Sequence, residues 1–239
     1  MNKERFRFFP ATLHESDLWI GVPHAEFKKG MLSAAMNELQ RLRDLLEGYI
    51  KESPAFATSL KALPFPEITA RIPEEILSML NCGKQTQTGP MSAVAGLFAE
   101  YVGNRLVNEF ELTEIVVENG GDLYLKNSSK LISVIHAGKS PLSDKMAFEI
   151  PPGTRGICTS SGTMGHSLSF GKADAVTVIA GSAPLADAWA TALANQVNNQ
   201  KDIEEVLDLF KEVQGIQACA IIVGEQIGIR GQFELKLLT

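Results

Sequence analysis

The chain has 239 residues, 45% hydrophobic and 21% charged, a balance that fits an ordinary globular fold and excludes a disordered or fibrous one. Its 28 acidic against 22 basic residues leave a net charge of -6, and no lysine or arginine run is long enough to track a phosphate backbone, so nucleic acid is not an expected partner. Cys82, Cys158 and Cys219 are odd in number and widely spaced, which argues against a disulfide framework or a Cys-x-x-Cys zinc site and fits a cytoplasmic location.

The first residues lack the apolar core and small-residue cleavage site of a secretory signal. The longest apolar run, residues 92–102, is broken by Glu100 and falls short of the roughly 20 residues a spanning helix needs, so no membrane segment is expected. Alternating aromatic and polar residues on both sides of His14 to Asp17 predict a hairpin. From Glu26 to about Glu52, Met31, Ala35, Leu39, Leu42, Leu45 and Leu46 recur near a period of 3.6, the mark of an amphipathic helix. Pro54, Pro64, Pro66 and Pro73 then predict a connector near residues 53–73 with at most short helical pieces.

A turn comes next and leads into a helix, with Thr88 as its expected N-cap and Pro90 in its first turn. Strand-like runs succeed it: EIVVEN, DLYLK and KLISVIHAG, then RGICTS and HSLSFG around a small-residue loop from Ser161 to Gly165, then DAVTVIAG. Helices are expected from Pro184 to about Asn198 and from Asp202 to Val213, before QACAIIVG and QIGIRGQFELKLL close the chain as strands. Strands and helices without strict βαβ alternation predict an α+β fold, in one domain over residues 1–239, with helices layered on largely antiparallel sheets.

Four stretches carry candidate chemistry. In the helix from Pro184, Asp187 and Thr191 stand four apart and so share one face. A carboxylate set among Leu185, Ala186, Ala188, Trp189 and Ala190 needs a partner if buried, and carboxylate plus hydroxyl suits Mg2+. The plainer alternative is a carboxylate favoured by the helix dipole and a hydroxyl bonded to its own backbone. Gly120, Gly121 and Asp122 form either a simple hairpin turn or a place where a ligand lies against the backbone. Ser160, Ser161 and Gly162, ahead of His166, either turn N–H groups toward an anion or form a polar hairpin tip. Thr88 and Gly89 lead into a helix start, which either holds a phosphate or is only a capped helix.

Read together, VVENGGDLYLK, the histidine-bearing segment and DAVTVIAGSAPLADAWATAL resemble the ApbE-like family of FAD:protein FMN transferases, most closely a branch with TGPMSAVAG and no lipoprotein signal. The likeness spans roughly residues 85–200. It implies the ApbE-like, T-fold-related architecture and a transfer of FMN from FAD to a protein threonine with release of AMP. Asp187 and Thr191 are then the Mg2+ ligands, with Gly120, Gly121, Asp122 and His166 beside the flavin nucleotide. Asp187 and His166 are thus the expected catalytic residues. Thr88, Gly89, Ser160, Ser161 and Gly162 join the expected nucleotide site. FAD or another flavin or nucleotide is the expected cofactor, an acceptor protein the expected partner, and a homodimer is compatible. The chain departs from the family pattern in carrying Ala95 where relatives have a lysine, and HSLSFGKAD where they have an Asp-Pro-bearing segment. Those departures make a non-catalytic flavin- or nucleotide-binding protein the alternative.

Overall fold

The computed structural model describes residues 4–66, 72–162, 171–210 and 213–238. The predicted opening hairpin is present as β1 (Phe6–Leu13) and β2 (Ser16–Pro23), paired antiparallel from Phe6 opposite Pro23 to Leu13 opposite Ser16. Helix α1 (Met31–Glu52) starts five residues later than its periodicity suggested, because His24–Glu26 forms a short 3-10 turn and Gly30, at φ 105°, sets the helix entry. Its buried stripe of Met31, Ala34, Ala35, Leu39 and Leu42 has the expected spacing.

The proline-rich stretch is more ordered than its composition suggested. A single helical turn, α2 (Ala55–Thr58), puts Phe56 fully inside the core, its ring 5.0 Å from that of Tyr49 in an edge-to-face contact. Directly after Pro73 comes a helix that the sequence pattern did not reveal, α3 (Glu74–Thr86), which buries Ile76, Met79 and Leu80. Pro73 fits there because the residue before a first turn needs no N–H bonded inside the helix.

Helix α4 (Val94–Phe110) comes after a 3-10 turn, Pro90–Ala93. Thr88 does not cap it as expected: Gly89 is the cap residue of the 3-10 turn, and the Thr88 hydroxyl bonds instead to those of Thr86 at 2.6 Å and Ser92 at 2.7 Å. Then come β3 (Ile115–Asn119), β4 (Asp122–Asn127), β5 (Leu131–Val134), β6 (Met146–Ile150), β7 (Gly153–Ser160) and β8 (Ala175–Ala180). β6 was not anticipated, and HSLSFG falls largely outside the described residues. Helix α5 (Ala183–Ala194) ends earlier than predicted, as does α6 (Asp202–Leu209), and β9 (Ile216–Val223), β10 (Gln226–Gly231) and β11 (Leu235–Leu237) finish the chain.

Among the described residues, eight strands form one antiparallel sheet in the order β1-β2-β3-β4-β7-β8-β9-β10, and β11-β6-β5 form a second, small sheet. Alternation along β8 shows how the layers meet. Val176, Val178 and Ala180 pack into the core under the helices, whereas Ala175 and Ile179 face the core under the small sheet with Phe148 and Ile150. The fold is therefore α+β: helices, a large sheet and a small sheet, stacked in that order. Among the described residues, no helix is long and apolar enough to cross a membrane.

The apolar sequence of α5 has a direct structural reason. Nine of its residues are buried, and six of those are alanines, so neighbouring backbones approach it closely. An added Cβ on Gly96 of α4 would lie 2.4 Å from the Ala183 carbonyl oxygen, and one on Gly156 of β7 would lie 2.2 Å from the Ala183 Cα. These two glycines hold the first turn of α5 between helix and sheet. Its first N–H is satisfied by Glu100, whose Oε2 accepts from Ala183 N at 2.6 Å, and Ser182 accepts from Leu185 N as the predicted N-cap.

Candidate functional site

Two hollows meet at α5. One, of about 1020 Å³, runs from Gly120, Gly121 and Asp122 past Thr159, Ser160, Ser161 and Thr177. The other, of about 770 Å³, is bounded by Leu60, Thr88, Gly89, Ser92 and Ala95. Asp187 and Thr191 line both. The one-face pairing inferred from their spacing thus places them on the wall that the two hollows share. Ser59 and Leu60, from the proline-rich stretch, form part of the smaller hollow, and an added Cβ on Gly89 would strike the Ser59 carbonyl oxygen.

Gly120 and Gly121 do serve the turn: both have positive φ, 63° and 106°, as a two-residue hairpin loop of the primed type requires, and Asn119 pairs with Asp122 across it. They also border the larger hollow, so the two readings of this motif are both true of its position. Ser160 and Ser161 lie on the rim of the same hollow, and Gly162 continues the same strand end, where its N–H donates to the Ala173 carbonyl. The Ser160 hydroxyl has no hydrogen-bond partner among the described residues. His166, expected beside them, lies outside the described residues.

The electrostatics are set by two buried carboxyls. Asp187 Oδ2 accepts from Gly96 N at 2.9 Å, and Ala95 N–H also points at this carboxyl. Burial nonetheless pushes it up to about 7, since two N–H groups replace only part of the lost water. Asp122 is raised well above its ordinary value, first by burial and then by the Asp187 charge, although Cys158 and the Thr159 N–H both donate to it. Cys158 also donates to the Ala183 carbonyl at 3.4 Å, and its own thiol is raised by burial and by the two carboxyls. Among the described residues, no lysine or arginine lines either hollow.

These donors suit a hard cation. No group of three His, Cys, Asp or Glu that could hold a metal occurs among the described residues, which is not what a protein-caged ion needs. A carboxylate and a hydroxyl at the rim of a hollow, with the remaining positions left to water and phosphate, is how Mg2+ is commonly held. Loss of the proton from Asp187, which a bound cation would favour, would supply the negative charge that holds it.

Several residues of this site were not evident from the sequence. Asn119 donates to the Ala95 carbonyl on α4, Glu100 accepts from the first N–H of α5, and Thr159 and Thr177 form a cross-strand hydroxyl pair, Oγ1 to Oγ1 2.9 Å, inside the larger hollow. Only the last had a legible signal, since threonines in matching strands are common pairing partners.

The model of the family described as "AbpE bacteria" matches residues 1–234. The chain belongs to that family. Among similar sequences, a UPF0280 protein of Methanothermobacter thermautotrophicus is 35% identical over 215 residues, 88% of this chain and 80% of the relative. Among solved structures, the apo flavinyl transferase ApbE of Pseudomonas stutzeri superposes with a TM-score of 0.60 at 13% identity, covering 95% of this chain and 94% of that one. The ApbE protein of Thermotoga maritima gives 0.59 at 15% identity, covering 94% and 96%. The resemblance read from the sequence and the α+β architecture are confirmed together, the first by the family and the second by the shared fold.

The buried carboxyls predict a pH dependence of the protein's stability. An acid whose pKa is higher folded than unfolded binds more protons when folded at every pH between the two values, so stability rises as pH falls through that window. For Asp187 the window runs from about 7 down to the ordinary value of 3.8, and burial shifts Asp122 and Glu100 in the same direction. Glu114 has the opposite sign. Although burial alone would raise it, hydrogen bonds from Arg5 and Ser128 hold it at about 2, so its contribution is lost only below its usual 4.5. In buffer free of divalent cations, the melting temperature should be higher at about pH 5.5 than at about pH 8, and scanning calorimetry would show it. A flat or inverted profile would mean that the carboxyls are better solvated than their burial indicates.

Proposed function

We propose that this protein is a Mg2+-dependent flavin transferase that moves FMN from FAD onto a hydroxyl of an acceptor protein. The observation that carries the reading is the place of Asp187 and Thr191 on the wall shared by two hollows. FAD is two bulky nucleoside-like halves joined by a diphosphate, so it needs a cation site at its middle and room on either side. The names of the structural neighbours, flavinyl transferase ApbE among them, support the choice of flavin over other dinucleotides.

Asp187 and Thr191 would hold the cation from one face of α5, and Gly120 and Gly121 leave the backbone bare where a nucleotide half can approach. Ser160, Ser161 and Gly162 offer hydroxyl and N–H groups on that side, Asp122 lies behind the turn, and Thr88 and Gly89 border the other half. His166 is assigned beside the nucleotide by resemblance. Bound Mg2+ supplies neutralisation of the charge that builds up on the bridging phosphate oxygens. In the transfer, the acceptor hydroxyl oxygen bonds to the phosphorus of the FMN half and the bond from that phosphorus to AMP breaks. AMP leaves with the electron pair, and the hydroxyl proton is released to water.

The second reading, a protein that binds a flavin or nucleotide without transfer, is favoured by Ala95 at the place of the family lysine and by the absence of lysine and arginine from both hollows among the described residues. The deciding experiment is a thermal-shift titration with FAD, FMN and ADP, with and without Mg2+, followed by incubation with FAD, Mg2+ and a mixture of threonine- and serine-bearing peptides as acceptor, with chromatography for AMP and mass spectrometry for flavinylated peptide. FAD should stabilise only with Mg2+, by about 2.7 kcal/mol at a hundredfold excess over its dissociation constant, and more than FMN or ADP at equal concentration. AMP and bound FMN in equal amounts support transfer. Stabilisation by FAD without AMP moves the conclusion to the second reading, and no Mg2+-dependent response to any of the three defeats both.

A further inference from the structure

We propose that Asn119 is a positioning residue for the metal carboxylate, holding the Ala95–Gly96 peptide group in the orientation that presents its N–H to Asp187. The proposal rests on the reading of Asp187 as a cation ligand. Asn119 is the last residue of β3 and pairs with Asp122 across the diglycine turn. Its Nδ2 donates to the Ala95 carbonyl oxygen at 3.1 Å, and the N–H of the very next residue, Gly96, donates to Asp187 Oδ2 at 2.9 Å.

The Ala95 carbonyl and the Gly96 N–H belong to one planar peptide unit, so neither end can turn without the other. Asn119 grips one end and Asp187 the other. A donor on the carbonyl also polarises the amide and strengthens its N–H as a donor, because bonds in a chain reinforce each other where the surroundings are poorly polar. The result is a short relay from the turn bordering the larger hollow, through α4, to the carboxylate on α5. The Gly96 N–H is the group one step behind the ligand, of the kind whose loss typically changes metal affinity by about 10- to 100-fold, and Asn119 acts on it at one further remove.

The other surroundings of Asn119 leave room for this role. It also lines a third hollow with Arg43, Leu46 and Phe98, so its amide is not locked into a dense core, and truncation there need not open a sealed cavity. Gly96 cannot supply the same constraint by a side chain of its own, since an added Cβ would strike the Ala183 carbonyl. Helix α4 sets the general direction of this peptide, and Asn119 is the side chain from outside the helix that reaches its oxygen.

The test measures Mn2+ binding to cation-free protein by electron paramagnetic resonance, for the unaltered chain, Asn119→Leu and Asn119→Ser, with the melting temperature of each recorded alongside. Leucine keeps the volume and removes the donor; serine keeps the protein folded if leucine does not fit. The expected result is Mn2+ affinity about tenfold weaker in both variants that fold, with most of the thermal stability retained. If the unaltered chain binds Mn2+ and the folded variants bind it equally well, even with a lowered melting temperature, Asn119 is only a structural contact and the proposal is overturned. If the unaltered chain binds no Mn2+, the reading of Asp187 fails first and the proposal falls with it.

Discussion

Asp187→Asn is expected to erase the Mg2+-dependent response to FAD while leaving the cation-free protein as stable as before or more so. Asparagine keeps the shape of the side chain, and its carbonyl oxygen can still accept from Gly96 N, now 2.9 Å from Asp187 Oδ2. What it removes is the charge. That charge is costly in the folded chain, since burial raises Asp187 to about 7 and its field raises Asp122 further. At about pH 8 the substitution relieves a buried carboxylate pair, which predicts an unchanged or raised melting temperature without cation. With Mg2+ and a hundredfold excess of FAD, the roughly 2.7 kcal/mol of ligand stabilisation should vanish. A residue whose loss stabilises the empty protein and disables the loaded one is there for function, at a cost to stability. Retention of the Mg2+-dependent shift in this variant would remove Asp187 from the site. A large drop in cation-free stability would instead assign its carboxylate to the fold.

Much of this arrangement is legible in the sequence, for reasons that differ by element. The i, i+4 spacing fixes Asp187 and Thr191 on one side of a helix whatever the tertiary fold, and Ser182 with Pro184 marks where that helix begins. Gly120-Gly121 between alternating runs specifies a two-residue hairpin because few other residues accept positive φ at both positions. Helix α3 was not legible because four prolines dominate the stretch before it, and Pro73 acts as a helix entry only by virtue of the apolar spacing of Ile76, Met79 and Leu80 after it. Of the small sheet, β5 and β11 lie in runs legible as strands, but β6 escaped because it is only five residues long and buried at nearly every position, and so shows no alternation. The relay from Asn119 to Asp187 joins residues separated by 68 positions through a backbone group of Ala95, and no pattern of side chains encodes a backbone contact.

Gly96→Ala should cost the protein both stability and its metal site, although alanine is the better helix former. In an open helix position the exchange stabilises by roughly 0.5–1 kcal/mol. Gly48 in α1 is such a position, since an added Cβ there meets nothing within 4 Å, and Gly48→Ala is the natural control. At Gly96 the new methyl group would lie 2.4 Å from the Ala183 carbonyl oxygen, 2.6 Å from its carbon and 3.0 Å from the Asp187 Cβ. The nearest of these atoms are backbone, and they cannot withdraw, because Ala183 is held from the opposite side by Gly156. Overpacking of this kind typically costs about 1–3 kcal/mol, enough to outweigh the propensity gain. Relief requires α4 and α5 to move apart, which lengthens the bond from Gly96 N to Asp187 and tilts the carboxylate out of the shared wall. Urea denaturation should therefore show Gly48→Ala more stable than the parent and Gly96→Ala less, and Mn2+ binding should be weakened in Gly96→Ala alone. If Gly96→Ala instead matched Gly48→Ala in both measurements, the α4–α5 contact would be loose enough to absorb a methyl group, and the geometry that aims Asp187 would have to come from elsewhere in the fold.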